Sequence, residues 1–314
     1  MKWKILVSAP YMQPVLDDYR VSLESRGAEL VVPDVNERLS EHELMKHVGN
    51  IDGVIAGDDE FTQRVLEKAV PRLQVISKWG TGIDAIDQAA CARLGVAIRN
   101  TPGAFTEPVA DSVMGYVLNF ARKLPWMDQQ MKHGVWDKIS GRSLNETTLG
   151  IIGLGNIGTA VARRAKAFGM HVIANDIKNI PDEIVQEAGA IMVSCDELFH
   201  GSDFVSLTCD LNPTSLHLLD EGAFAKMREN VVIINLARGP LIDEKCLIEA
   251  LMSRKIAGAA LDVFELEPLP EDSPLKSMSN VMLAPHNSNS SPAAWLKVHE
   301  NTIKNLFDVL EPRF

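Results

Sequence analysis

Hydrophobic and polar positions follow two alternating periods along the first hundred residues. Short apolar runs bounded by turn residues predict strands, and apolar residues three and four positions apart predict helices. Strands are predicted at Lys4–Ala9, Glu29–Val32, Gly53–Ala56, Leu73–Ser77 and Val96–Arg99, and helices near Val15–Ser25, Glu41–Val48, Gln63–Val70 and Ala85–Leu94. Alternation of this kind predicts a parallel sheet with helices on both faces.

The same alternation fills the second half of the chain. Strands are predicted at Leu149–Ile152, His171–Asn175, Phe204–Thr208, Val231–Asn235, Gly258–Asp262 and Val281–Leu283. A helix follows the first of these strands, with an apolar face of Ile157, Val161, Ala165 and Phe168, and others are predicted near Glu244–Met252 and Ala293–Leu310. The pattern therefore predicts an α/β protein with two doubly wound parallel-sheet domains.

The middle of the chain and its last helix set the expected domain boundaries. Turn residues at 100–103 predict a hinge, and a helix is expected from Val109 to Lys123. We expect the last helix to return to the first domain, so that residues 1–100 and 288–314 form one domain and 101–287 the other, with a cleft between them. Residues 126–145 are expected to be irregular, with Trp126, Met131 and Trp136 on a partner surface or packed within the chain.

A glycine fingerprint gives the second domain its predicted ligand. Gly153, Gly155 and Gly158 follow a predicted strand in the spacing G-x-G-x-x-G. The first glycine permits a tight turn, the second lets a pyrophosphate approach the backbone, and the third lets the next helix pack close to the strand. The N-terminus of that helix would face the phosphates. The fingerprint therefore predicts a dinucleotide site.

Asp176 ends the next predicted strand, eighteen residues after the last glycine. A carboxylate there can accept hydrogen bonds from the hydroxyls of a ribose, whereas it would repel a 2′-phosphate. NAD is therefore favoured over NADP. The positive charge of Lys178 nearby is a weak argument for NADP.

Composition narrows the class of protein further. Hydrophobic residues make up 46% of the 314 residues and charged residues 23%, and the formal net charge of −11 argues against nucleic acid as a partner. No apolar stretch reaches the length of a membrane span, and the first nine residues resemble a strand rather than a signal peptide. The four cysteines show no metal-type pairing, so no metal and a cytoplasmic location are expected.

Three polar side chains at consecutive strand ends suit hydride transfer at a carbinol carbon. Arg238, Glu267 and His286 each follow a predicted strand of the second domain. Ligands of open α/β sheets bind at this edge. The arginine can hold a substrate carboxylate, the histidine can exchange a proton with the hydroxyl oxygen, and the glutamate can orient the imidazole. Glu265 competes with Glu267 for this last role.

The chain resembles the D-2-hydroxyacid dehydrogenase family, within it the D-3-phosphoglycerate dehydrogenase-like members, over essentially its whole length. The resemblance rests on residues 80–84, 100–103, 153–176, the Arg238 loop, 262–268 and 285–286. It implies a Rossmann cofactor domain, a flavodoxin-like substrate domain and NAD-dependent interconversion of small D-2-hydroxy acids and 2-keto acids. It also implies a homodimer formed through residues 109–145.

The resemblance implies individual roles as well. Arg238 would bind the substrate, and His286, paired with Glu267, would be the acid/base. Further substrate contacts would come from Lys78, Gly80, Thr81 and Gly82. Besides the three glycines, the NAD contacts would be Asn156, Ile157, Asp176, Cys209, Leu236, Ala237 and Asp262.

The substrate and even the class of function stay open at this point. The run Ala56–Glu60 is acidic where the phosphoglycerate enzymes carry a basic residue, so a phosphorylated substrate would be repelled unless Lys78 and other bases compensate. A glyoxylate/hydroxypyruvate reductase is one alternative. A non-catalytic NADH-sensing protein of the co-repressor kind is another, and a formate dehydrogenase is disfavoured because those enzymes carry glutamine where Glu267 stands.

Overall fold

The structure, a computed structural model, describes residues 3–311. Residues 1–2 and 312–314, at the ends of the predicted first domain, lie outside the described part of the chain. Two compact units are present: unit 1 comprises residues 3–105 and 291–311, and unit 2 comprises residues 106–290.

Unit 1 contains a five-stranded parallel sheet in the order β2-β1-β3-β4-β5. The strands are β1 (Trp3–Val7), β2 (Ala28–Val31), β3 (Gly53–Ala56), β4 (Val75–Lys78) and β5 (Ala97–Arg99). Between them lie α1 (Leu16–Ser25), α2 (Glu41–His47), α3 (Gln63–Ala69) and α4 (Gln88–Leu94). All residues of β3 and β4 are buried, as expected for central strands covered on both faces.

Unit 2 contains a seven-stranded parallel sheet in the order β12-β11-β10-β9-β6-β7-β8. Its strands are β6 (Thr148–Ile152), β7 (His171–Asn175), β8 (Ile191–Met192), β9 (Phe204–Leu207), β10 (Val232–Asn235), β11 (Gly258–Leu261) and β12 (Val281–Leu283). Its helices are α5 (Thr106–Arg122), α6 (Leu124–Lys132), α7 (Asn156–Ala167), α8 (Asp182–Ala188), α9 (Cys195–Gly201), α10 (Glu221–Lys226) and α11 (Glu244–Met252). The strand order reverses between β6 and β9, which makes this the switch point where a doubly wound sheet binds its ligand.

The last helix, α12 (Pro292–Leu310), packs within unit 1. Ser77 in β4 donates a hydrogen bond to the carbonyl of Thr302 at 2.7 Å, and Asn305 donates to the carbonyl of Asn100 at 2.9 Å. Leu306 and Phe307 are fully buried. The prediction of two doubly wound parallel sheets is confirmed.

Residues 126–145 are not irregular throughout, so that expectation is wrong for the first part. Lys123 has a φ of 57°, which ends α5, and Pro125 then opens α6 in its first turn, where its fixed φ suits a helix start. The indole of Trp126 packs 5.2 Å from the ring of Phe120, measured between centroids, and its N–H donates to the carbonyl of Ser279. Met131 and Trp136 instead face solvent, with 52% and 86% of their surface exposed.

The predicted apolar face of the helix after the glycine fingerprint is also partly wrong. Helix α7 ends at Ala167, and Phe168 at its C-terminus is 48% exposed. Val161 and Ala165 are fully buried, so the buried face of α7 consists of these residues together with small residues such as Ala162. No helix within residues 3–311 combines the length and the apolar character needed to cross a membrane.

Candidate active site in unit 2

The arginine loop follows β10 and is held by its own asparagine. Asn235 is almost fully buried, its amide donates to the carbonyl of Arg238 at 2.8 Å, and its side-chain oxygen accepts from the N–H of Ala237 at 3.1 Å. Gly239 lies so close to the next segment that a Cβ there would sit 1.9 Å from the carbonyl carbon and oxygen of Phe264. The Arg238 loop therefore packs against the segment that carries Glu267.

Glu267 and His286 form a hydrogen-bonded pair. Nδ1 of His286 lies 3.0 Å from Oε2 of Glu267, and Oε1 of the same carboxylate accepts from the N–H of Phe264 at 2.9 Å. About 30% of each of the two side chains is exposed. Because an ionised carboxylate can only accept, we assign the hydrogen of this bond to Nδ1.

Glu265, the competing acid, has another partner. Its Oε1 lies 2.6 Å from Nε2 of His217, and its backbone N–H is 3.4 Å from a carboxylate oxygen of Glu244. The geometry therefore joins Glu267, and not Glu265, to His286.

Asp262 anchors the loop that carries His286, a role the sequence did not predict. This fully buried residue follows β11 directly and accepts from the N–H groups of Asn287 and Ser288, one on each carboxylate oxygen, at 2.6 and 2.8 Å. Its carbonyl accepts from the N–H of His286 at 2.8 Å. His286 itself has a φ of 51°, in the left-handed region that a residue such as histidine adopts only when its surroundings hold it there.

The glycine fingerprint forms a tight turn with one open side. Gly153 has a φ of 98°, and a Cβ there would lie 2.5 Å from the backbone nitrogen of Cys209. A Cβ on Gly158 would lie 2.1 Å from the carbonyl oxygen of Gly153. A Cβ on Gly155 would meet no atom within 4 Å. Gly153 and Gly158 are thus required by the turn itself, whereas Gly155 faces the space that a pyrophosphate would fill.

The carboxylate of Asp176 lies beside this turn. One oxygen accepts from the N–H of Leu154 and the other from the N–H of Lys178, both at 2.8 Å. Asn156 and Ile157 form the first turn of α7, whose N–H groups have no acceptor within the helix. A helix N-terminus, an open glycine and a carboxylate at the end of the next strand together fit the phosphates and ribose of a dinucleotide.

Cys209, Leu236 and Ala237 complete the predicted cofactor contacts at the same edge. Cys209 follows β9 and lies against Gly153, while Leu236 and Ala237 follow β10. Burial raises the pKa of the Cys209 thiol to about 11, so that the thiol is protonated at neutral pH. Across residues 3–311, His, Cys, Asp and Glu side chains form no group of three or more that could hold a metal ion.

The other predicted substrate residues lie in unit 1, at the carboxyl edge of its sheet. Lys78 ends β4, and Gly80, with a φ of 120°, begins the loop that contains Thr81 and Gly82. The carbonyl of Gly80 accepts from both the N–H and the hydroxyl of Thr101 at 2.9 Å, and the hydroxyl of Thr81 donates to the carbonyl of Thr101 at 3.2 Å. These bonds hold the loop in place within its own unit.

Comparison with known proteins agrees with this geometry. The family model described as D-isomer specific 2-hydroxyacid dehydrogenase, NAD binding domain, matches residues 114–288. A hydroxypyruvate reductase of Thermotoga maritima is 37% identical, the match covering 94% of this chain and 96% of that protein. A solved D-lactate dehydrogenase of Aquifex aeolicus, complexed with NAD and lactic acid, is 26% identical with a TM-score of 0.87, covering 98% of this chain and 95% of that one.

A D-3-phosphoglycerate dehydrogenase of Methanocaldococcus jannaschii is 40% identical over 93% of this chain but only 54% of its own length. The chain thus spans about half the length of the phosphoglycerate dehydrogenases that it matches. The matched domain binds NAD, in agreement with the cofactor predicted from Asp176. On the match of the family model and the relatives matched over nearly their full length, the chain belongs to the D-isomer specific 2-hydroxyacid dehydrogenase family.

Proposed function

We propose that this protein is an NAD-dependent oxidoreductase that interconverts a small D-2-hydroxy acid and its 2-keto acid. The observation that carries the proposal is the Glu267–His286 pair, at 3.0 Å, on a loop anchored by Asp262. The Arg238 loop packs against the segment bearing Glu267, so a cation, a carboxylate and an imidazole stand at neighbouring strand ends.

His286 supplies the proton in the reductive direction. With both ring nitrogens protonated, Nδ1 donates to Glu267 and Nε2 donates to the substrate carbonyl oxygen. The negative charge of Glu267 stabilises the imidazolium, and after the transfer the neutral ring keeps its hydrogen on Nδ1. In the oxidative direction the same neutral ring accepts the hydroxyl proton at Nε2.

Arg238 binds and polarises the substrate. Its planar guanidinium can hold a carboxylate through two parallel hydrogen bonds and can stabilise the charge that develops on the carbonyl oxygen. Gly80, Thr81 and Gly82 are proposed to bind the substrate carboxylate through their backbone N–H groups, a role that the family resemblance implies. Lys78, which the resemblance also assigns to the substrate, is paired with Asp58 beside them.

NAD, when bound, supplies or accepts the hydride. Gly153, Gly155 and Gly158, with the N–H groups of Asn156 and Ile157, are proposed to hold its pyrophosphate. Asp176 is proposed to bind the adenosine ribose, and Cys209 to contact the cofactor beside Gly153. Leu236, Ala237 and Asp262 are proposed to line the nicotinamide side, next to the catalytic loops.

The test is a screen of NADH oxidation with purified protein. Hydroxypyruvate, glyoxylate, pyruvate and 3-phosphohydroxypyruvate are each added, and the absorbance of NADH is followed. We expect at least one 2-keto acid to be reduced with saturation kinetics. Binding of NADH without turnover of any of a broad panel would instead indicate a cofactor-sensing binding protein and would refute the proposal.

We propose that the protein acts as a homodimer formed through residues 109–145. Trp136 is 86% exposed, and Leu124, Met131 and Val135 expose between 39% and 52% of their surface nearby in sequence. Monomers rarely leave such a series of large apolar side chains in water. Light scattering should give twice the mass of the chain, and replacement of Trp136 by Asp should shift it toward the monomer. A monomeric wild-type protein would contradict this proposal.

We propose the cytoplasm as its location. Cys91, Cys195, Cys209 and Cys246 are all free thiols, which suits a reducing compartment. Fractionation of the native host should recover the protein with the cytoplasmic enzymes, and recovery outside the cell would contradict the assignment.

A further inference from the structure

The ammonium of Lys78 already has an anionic partner. Its Nζ lies 3.2 Å from a carboxylate oxygen of Asp58 and donates to the carbonyl of Trp79 at 2.8 Å. Only 6% of the lysine side chain is exposed, whereas 52% of Asp58 is. A Cβ on Gly80 would lie 3.3 Å from the same Nζ, so the Lys78–Asp58 ion pair lies beside the loop that is proposed to bind the substrate.

The two acidic residues that follow Asp58 have hydrogen-bond partners of their own. Asp59 is fully buried and accepts hydrogen bonds from the hydroxyl of Ser8 and the N–H groups of Leu39 and Gly57, at 2.5 to 2.9 Å. Glu60 accepts from the N–H of Glu41 at 3.0 Å. The segment after β3 therefore presents Asp58 to Lys78, and its other two acids are engaged elsewhere in unit 1.

Next to Lys78 stands an aromatic cluster formed by Tyr11, Trp79 and Trp295. Ring centroids are 5.4 Å apart for Tyr11 and Trp79, 5.2 Å for Tyr11 and Trp295, and 5.9 Å for the two tryptophans. Tyr11 follows β1 and is 37% exposed, and Trp79 follows β4. The cluster thus lies at the carboxyl edge of the sheet, where Trp79 is buried and the exposed part of Tyr11 offers a neutral, partly apolar surface.

We propose that the substrate is a 2-keto acid with a single negative charge, and that Asp58 is the specificity-determining residue that excludes a second one. This inference rests on the proposed function. The substrate carboxylate is proposed to bind the backbone N–H groups of the Gly80 loop, next to the Asp58–Lys78 pair. A further phosphate or carboxylate would have to break the Asp58–Lys78 pair or lie beside the negative charge of Asp58, whereas an uncharged side chain can pack on the aromatic cluster.

Two pairs of substrates test the charge rule, and the members of the second pair are also matched in length. Hydroxypyruvate is compared with 3-phosphohydroxypyruvate, and 2-oxohexanoate with 2-oxoglutarate, by kcat/KM for NADH oxidation. We expect the singly charged member to be preferred by about 100-fold or more in each pair. Turnover with equal or better use of the more highly charged members overturns this inference alone, whereas no turnover with any 2-keto acid overturns the proposed function and this inference with it.

Variants test the role of Asp58 itself. Asp58→Asn keeps the size of the side chain and removes the carboxylate 3.2 Å from the lysine, so we expect the preference against 3-phosphohydroxypyruvate to fall by roughly 10-fold, mainly through KM for that substrate. Glu60→Gln removes the same charge from the same segment without touching Lys78, and it should leave the preference within about twofold. Equal effects of the two variants, or no effect of Asp58→Asn, overturn the assignment.

Discussion

Replacing Gly155 or Gly158 of the fingerprint by alanine should have opposite effects: the first should weaken NADH binding, and the second should lower the stability of the fold. A Cβ on Gly155 meets nothing within 4 Å, and the residue's φ of −79° is open to alanine. The free energy of unfolding should therefore change by less than about 1 kcal/mol, which is the cost of a poorer helix cap. The added methyl occupies the space proposed for the pyrophosphate, so the Kd for NADH should rise at least ~10-fold, or ~1.4 kcal/mol.

Gly158→Ala should behave in the opposite way. Its Cβ would lie 2.1 Å from the carbonyl oxygen of Gly153 and 3.0 Å from the hydroxyl of Thr208, and the nearer atom is backbone that cannot move aside cheaply. Overpacking of this kind costs about 1–3 kcal/mol or more, which lowers the Tm by several degrees. The control is Gly115→Ala inside α5, where a Cβ meets nothing within 4 Å. Alanine favours a helix over glycine by ~1 kcal/mol, so this variant should not be less stable than the wild type.

Calorimetry and NADH titration by fluorescence measure the two quantities on the same preparations. The reasoning is refuted if Gly155→Ala binds NADH as tightly as the wild type, or if Gly158→Ala melts at the wild-type temperature.

Three further changes probe the catalytic loops and the cofactor site. Gly239→Ala places a methyl 1.9 Å from the carbonyl of Phe264, so the Arg238 loop must shift and kcat/KM should fall at least ~10-fold; wild-type kinetics would contradict this packing. Asp176→Asn removes the charge near the ribose but keeps a hydrogen-bond acceptor, so the NADPH:NADH ratio of kcat/KM should rise at least ~10-fold, and an unchanged ratio would remove Asp176 from its role. Burial raises the pKa of Cys209 to about 11, so at pH 8 its thiol stays protonated and iodoacetamide should leave activity intact; rapid inactivation prevented by NADH would count against this.

Long, regular elements could be predicted because their patterns repeat over several turns or strands. The pattern predicts a helix from Ala293 to Leu310, and α12 runs from Pro292 to Leu310. The apolar runs predict the central strands β10 and β11, and all their residues are buried. The carboxyl ends of such strands were therefore predictable, and with them the approximate places of Arg238, Glu267 and His286.

Short elements and fine geometry could not be predicted in the same way. The hydrophobic pattern does not predict helices α8, α9 and α10, which have six or seven residues, although it does predict α2, α3 and α4, which have seven. The capping box of Ser194 and Glu197 is a further signal that indicates the start of α9. The choice between Glu265 and Glu267 depends on the positions of His217 and His286, which lie 48 residues from Glu265 and 19 residues from Glu267 in the sequence. The left-handed backbone conformation of His286, on the loop that Asp262 holds, also cannot be predicted from a hydrophobic pattern.

The most direct test of the account is the rate of turnover after His286→Asn, because asparagine tolerates the φ of 51° and leaves the loop intact. Steady-state NADH oxidation with the best 2-keto acid gives kcat, and a fluorescence titration gives the Kd for NADH. We predict that kcat falls by at least ~100-fold, since the proton donor is lost, while the Kd stays within about twofold. A kcat within about threefold of the wild type would contradict the assignment of His286 as the acid/base, and with it the proposed mechanism.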